Sequence, residues 1–189
     1  FISDDLLTTF ETNGTTLYGH PHRNLERGIE FSAGSLGLGI SFAVGVAKAC
    51  QLRKFNNRIF VILGDGECNE GIVWESLAFA AHHKLSNLTI ILDRNHLQLD
   101  APTVEICDME SFEKKFSAFN LAVDTVDGHN PESLCRALEK RYDRTNVVIA
   151  DTIKGKGISF LENNPACHHI VLTEKQYKQA LEENKYEIK

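Results

Sequence analysis

The chain has few of the features that would mark an unusual protein class. Among its 189 residues are one methionine, one tryptophan and four prolines, and no apolar run approaches membrane-spanning length. No basic-then-apolar leader opens it, so a secretory signal is not expected. The five cysteines, Cys50, Cys68, Cys107, Cys135 and Cys167, are widely spaced, odd in number and free of any CxxC pair. That pattern argues against a disulfide framework and predicts reduced thiols, as in a cytoplasmic protein. Lys and Arg number 20 against 26 Asp and Glu, and the net charge of −6 disfavours nonspecific binding to nucleic acid or to anionic membranes. Repeats, low-complexity tracts and linkers are absent, so residues 1–189 are expected to form a single domain. The start at Phe1 rather than methionine reads as the sign of a missing N-terminal segment. No GxxxxGK[ST] phosphate loop is present. The glycine run 34–39 reaches Phe42 where a dinucleotide loop needs glycine, and no suitably placed acidic residue follows.

What the chain does have is an alternation of elements. Apolar residues make up 42% of it, enough for one well-buried core. Ser3 can cap a short helix through about residue 12, stopped by Asn13-Gly14. Residues 15–39 are rich in Gly, His and small polar residues and read as a functional loop. Residues 36–52 are small or apolar nearly all round (Ile40, Ala43, Val44, Val46, Ala47), which predicts a buried helix. Buried strands are expected at 58–63 and 88–92, on either side of a helix at 70–85. Beyond a loop around Pro102, the pattern predicts a helix at 110–118, a strand at 121–126, a helix at 131–142 opened by Pro131, and a buried strand at 146–151. A Gly- and Lys-rich loop leads to a polar terminal helix after Thr173. Such alternation implies an α/β fold, a doubly wound, mostly parallel sheet with helices on both faces.

Two strand ends carry the chemistry. Gly64-Asp65-Gly66 closes the first apolar run, and Asn95 closes the second, with the predicted helix between them. Open parallel sheets bind ligands at the carboxyl ends of their strands. A carboxylate and a carboxamide there, beside a glycine that lets backbone approach an anion, suit Mg2+ carrying a diphosphate. The run from Asp65 to Glu70 has a superficial likeness to a calcium loop, but its sixth position is Glu70 and its twelfth is Ser76, where glycine and glutamate are required. Cys167, His168 and His169 lack the spaced second pair that a zinc site needs.

Several blocks resemble a known family. Residues 63–71 and 92–100 are similar to the thiamine-diphosphate-binding domain of transketolases, above all to the separately encoded N-terminal subunit of split bacterial transketolases. Gly19-His20-Pro21, residues 33–37, residues 152–157, and Glu162-Asn163-Asn164-Pro165 through His168-His169 match further blocks in the family's order. The resemblance implies thiamine diphosphate and Mg2+ as cofactors. Asp65, Asn95 and the backbone carbonyl of Leu97 would hold the metal, and Gly66 would approach the diphosphate. Gly34 and Leu36 would flank the aminopyrimidine. His20 and His169 would be catalytic, with His169 also facing the diphosphate, and Glu70 would lie at a subunit interface. His22 and Arg23 are candidate contacts for a sugar phosphate.

Departures from the pattern are Ile170 and Leu172, where the family usually has glycine and proline. The matched blocks do not include the pyrimidine-binding domain, which in the family supplies the activating glutamate. A C-terminal transketolase subunit is therefore the expected partner, in an α2β2 heterotetramer acting on sugar phosphates by two-carbon ketol transfer. Two other readings stay open. The chain could be the corresponding domain of a deoxyxylulose-phosphate synthase or 2-oxo-acid dehydrogenase, or a noncatalytic partner that kept the fold.

Overall fold

The computed structural model describes residues 2–99 and 101–184. In chain order the elements are α1 (Asp4–Leu7), α2 (Leu38–Arg53), β1 (Ile59–Gly64), α3 (Gly71–His82), β2 (Leu88–Arg94), β3 (Leu97–Gln98), β4 (Ala101–Pro102), α4 (Thr103–Cys107), α5 (Phe112–Ala118), β5 (Ala122–Asp127), α6 (Pro131–Glu139), β6 (Asn146–Asp151) and α7 (Glu174–Glu183). Four strands form one sheet in the order β1-β2-β6-β5, every neighbouring pair parallel. The register sets Gly64 beside Asp93, and both Arg94 and Asp127 beside Asp151, so the carboxyl ends of the four strands finish nearly level. No described helix is long and apolar enough to cross a membrane.

The core follows from period-two alternation on the strands and apolar stripes on the helices. Leu63, Leu88, Ile90, Leu92, Val147 and Ile149 face one side, where Ile40, Val44 and Ala47 of α2, Val73, Leu77 and Ala80 of α3, and Phe112 and Phe116 of α5 cover them. Val148, one residue out of phase, is also fully buried, and α6 is the helix that packs on β5 and β6 there. Helices thus lie on both faces, as the alternation predicts. On the edge strand β1 the second face is open: Phe60 and Ile62 are exposed, Ile62 to 68%.

Several boundaries differ from expectation for local reasons. The first helix stops at Leu7, not near Thr12, because the hydroxyls of Thr8, Thr9 and Thr12 bond to carbonyls three residues back and support turns instead. The helix expected from residue 70 begins at Gly71 after a 3-10 turn over Gly66–Asn69, and ends at His82 because Lys84 turns left-handed (φ 46°). α6 ends at Glu139 rather than Tyr142, since the Lys140 amine and the Tyr142 hydroxyl both bond Asp124 on β5 and draw the chain out of the helix. The β3–β4 hairpin and α4 occupy what reads as loop around Pro102. α2 spans the expected range but is buried on one face only, with Leu38 and Phe42 exposed on the other.

Candidate cofactor and active site

Where β1 ends, the chain turns sharply into the 3-10 turn, and Asp65 stands on that turn at 3% exposure. Its Oδ1 accepts from the Gly66 amide at 2.7 Å and its Oδ2 from the His96 amide at 2.6 Å, which bridges β1 to the segment after β2. Among the described residues, no ion pair includes it. Burial pushes its carboxyl above the usual carboxylate range, and the two amides draw it partly back. A buried carboxylate held only by amides is an arrangement that a bound cation completes.

Asn95 is aimed by its neighbours. Its Nδ2 donates to Asp93 Oδ2 at 3.2 Å, and its Oδ1 accepts from the Leu97 amide at 3.1 Å. A carboxylate can only accept, so Asp93 fixes which end of the carboxamide faces away from it. The Thr152 hydroxyl donates to the other oxygen of Asp93 and ties in the end of β6. Arg94 points elsewhere: its guanidinium binds both oxygens of Asp151 and reaches Glu113 at 2.7 Å, locking β2 to β6 and α5. Among the described residues, no cluster of three or more His, Cys, Asp or Glu could hold a metal. The ligand set on offer is one carboxylate, one carboxamide oxygen and the Leu97 carbonyl. These are hard oxygen donors of the kind Mg2+ accepts, with diphosphate and water left to fill the remaining positions.

The glycines shape a cradle. A Cβ on Gly66 would stand 2.6 Å from Gln98 Cβ, and one on Gly34 (φ 127°) would stand 2.7 Å from His20 Cδ2. The second figure places His20 directly on the Gly34 loop, and the Ala33 amide bonds the Pro21 carbonyl at 3.0 Å. Two blocks far apart in the sequence therefore meet. Leu36, beside Gly34, is 57% exposed, an uncovered apolar side chain of the sort that packs on a flat ring. The residues present thus fit a diphosphate-bearing aromatic cofactor.

The structure also adds residues that the motifs did not single out. Gln98 lies over Gly66 and accepts from Asn69 at 2.9 Å. Glu67 accepts from the amides of both Gly37 and Gly64. Cys68, inside the motif, is fully buried; burial, then the Glu67 and Asp65 carboxylates, push its thiol up to about 12, so it is no nucleophile. Glu67 and Asp93 were visible as acidic residues beside the motif, but their partners were not.

The remaining candidates are less tightly held. Glu70 is the exposed N-cap residue of α3 and makes no capping hydrogen bond, its Cβ lying against Gly37. His169 is exposed and follows a 3-10 turn, Pro165–His168, that packs on β3 beside Leu97. Lys154 approaches His168 Nδ1 at 3.0 Å. Gly155 and Gly157 take left-handed conformations that shape this loop. His169 itself has no hydrogen bond to Asp65, Asn95 or His20 among the described contacts.

Comparison with known proteins agrees with this geometry. Residues 2–188 match the family described as "Transketolase, thiamine diphosphate binding domain". The chain is 40% identical over 182 residues to the "6-deoxy-6-sulfo-D-fructose transketolase subunit SqwG" of Clostridium sp. (strain MSTE9), covering 95% of this chain and 66% of that protein. It is 40% identical over 189 residues to one of the named subunits of the apulose-4-phosphate transketolase of Actinobacillus succinogenes, covering 99% of this chain and 68% of that protein. Among solved structures, the transketolase of Campylobacter jejuni superposes with a TM-score of 0.86 at 28% identity, over 94% of this chain and 29% of that one. The chain therefore spans about two thirds of the length of the split-subunit relatives. By sequence and by fold, it belongs to the thiamine-diphosphate-binding domain family of the transketolases.

Proposed function

We propose that this chain is the diphosphate-binding half of a split, Mg2+-dependent transketolase. It would serve the transfer of a two-carbon ketol unit from a ketose, usually phosphorylated, to an aldose. The observation that carries this reading is the buried Asp65 carboxylate, held only by amides, next to a carboxamide oriented by Asp93 and a glycine with no room for a side chain. Thiamine diphosphate, when bound, would supply the nucleophilic carbon that this transfer needs.

The chain's own residues do the rest. Asp65, Asn95 and the Leu97 carbonyl would hold Mg2+, and the Gly66 backbone, its amide donated to Asp65 Oδ1, would let the diphosphate approach closely. Gly34 and Leu36 seat the aminopyrimidine. His20, pressed on Gly34, would line the sugar subsite, where an imidazole can hydrogen-bond hydroxyls and relay their protons. His169 completes the lining from the loop after β6.

A partner chain is the second element of the reading. It would bring the pyrimidine-binding domain with its activating glutamate, meet this chain near Glu70, and assemble as two of each. The names of the relatives, which call them transketolase subunits, support a partner. The five free cysteines fit work in the cytoplasm. Relatives named for apulose 4-phosphate and for 6-deoxy-6-sulfofructose make modified or phosphorylated ketoses the donors to try first.

The test is a coupled assay of the natural chain with a co-expressed partner, supplied with thiamine diphosphate, Mg2+ and a panel of ketose donors. Two-carbon transfer that needs both chains and the metal is the expected result. Cofactor binding with no transfer from any donor would overturn the catalytic reading in favour of a noncatalytic partner.

A further inference from the structure

Glu67 stands between the two halves of the cradle. Its Oε1 accepts from the Gly37 amide at 2.7 Å, and its Oε2 accepts from the Gly64 amide at 3.1 Å. Gly37 closes the 34–37 loop and is the left-handed residue (φ 79°) that opens α2. Gly64 ends β1, one residue before Asp65. One carboxylate thus joins segments 27 residues apart in sequence (37 to 64).

The Gly64 amide needs such a partner. The amides of Ile59 and Asp65 point to β2, bonding Asn87 and Asp93, so by strand alternation that of Gly64 points to the open edge of the sheet. Left alone it would be an unpaired donor at the rim of the site. Packing reinforces the link: a Cβ on Gly37 would stand 2.5 Å from Ile72 Cγ2 and 3.1 Å from Glu70 Cβ, so the loop rests on the start of α3, directly after the turn that carries Asp65. Both bonds are to a charged acceptor and are stronger than neutral ones.

We infer that Glu67 is a positioning residue that couples the aminopyrimidine-side loop to the metal-side turn, so that filling the metal and diphosphate subsite also orders residues 34–37. This rests on reading the site as one for thiamine diphosphate. The consequence is that the ring-binding loop is set before the ring arrives.

The experiment uses inorganic diphosphate with Mg2+, which can fill only one half. Hydrogen–deuterium exchange is followed in segments 34–38 and 64–67 of the natural chain and of Glu67→Gln. Glutamine can accept one amide but turns its NH2 toward the other. In the unsubstituted protein both segments are expected to slow on ligand addition, by about tenfold or more. In Glu67→Gln, segment 64–67 should still slow while segment 34–38 does not. Glu67→Asp keeps the charge but is too short to span both amides; it should behave alike, and it carries the test if the glutamine variant does not fold. Slowing of 64–67 alone in the unsubstituted protein would overturn the coupling and leave the thiamine reading standing. Equal slowing of both segments in the variants would overturn it too. No slowing in either segment of the unsubstituted protein would remove the thiamine reading itself.

Discussion

The metal-side turn and the histidine-bearing loops belong to one proposed site but are built in opposite ways. On the metal side, Asp65 is buried, its two oxygens are held by amides from two different segments, Asp93 orients Asn95 and is itself bonded by Thr152, and Arg94 locks the neighbouring strand ends. Beneath it lie Leu63, Leu92 and Ile149, fully enclosed. On the histidine side, His20 and His169 are exposed and sit on loops that hold short 3-10 turns and one isolated bridge, Asn24–Ile29, with Thr15 and Leu17 buried near His20. The difference matches the roles proposed for the two halves. A hard cation demands fixed oxygen donors, and those are best set on strand ends. Residues that handle a passing sugar can wait on loops for substrate and partner to close around them.

Substitutions on either side should separate these roles. Asn95→Ala is expected to lower Mg2+-dependent affinity for thiamine diphosphate by about 100-fold or more. His20→Ala should leave that affinity within about threefold while turnover of the assembled enzyme falls by about 10²–10⁴. Equal losses of binding in both variants, measured by calorimetry, would break the comparison.

Arg94 tests whether the brace is structural. It is 11% exposed on its side chain and pairs with Asp151, Glu113 and, at 3.7 Å, Glu110, all partly solvated, so Arg94→Ala should cost about 1–2 kcal/mol of stability by urea denaturation. A value near zero would mean that the strand ends need no such lock. Asp93→Ala, which frees the Asn95 carboxamide to flip, should weaken metal binding by about 10–100-fold with little change in urea midpoint. Binding unchanged in this variant would show that Asn95 is oriented by other means.

The smallest effect is in acid. Burial raises the Glu113 pKa, but its own amide, the Ser111 hydroxyl and the Arg94 guanidinium outweigh that and hold it down to about 2. Its folded value lies below the unfolded one, so its contribution to stability is present above about pH 4.3 and is lost as pH falls through about 2. The urea midpoint difference between the natural chain and Glu113→Gln should therefore shrink from pH 5 to pH 2. A difference that holds constant, or grows, would contradict that assignment.

How much of this was legible beforehand divides along the same line. Parallel strands, their order of appearance and the strand-end motif could be read from Arg58–Leu63, Leu88–Leu92 and Gly64-Asp65-Gly66, because apolar periodicity and glycine placement are local signals. The carboxylates that support Asp65 and its strand ends were not legible. Asp93, Glu67 and Asp151 act through partners 59, 30 and 57 residues away, namely Thr152, Gly37 and Arg94, and no pattern in the sequence announces such pairings. Helix ends were misjudged where side chains competed with backbone, as Lys140 and Tyr142 do on Asp124. The all-round apolar character of α2 does not reflect burial on every side. Its outer face, with Leu38 and Phe42, lies open in this chain.

The account stands on Asp65 as the anchor of a metal–diphosphate site. The most direct test is calorimetric titration of thiamine diphosphate, with and without Mg2+, into the natural chain mixed with its partner, beside Asp65→Ala. Binding that requires Mg2+ and vanishes in a folded Asp65→Ala protein is the predicted result. Equal binding in the two proteins, or binding indifferent to Mg2+, would contradict it.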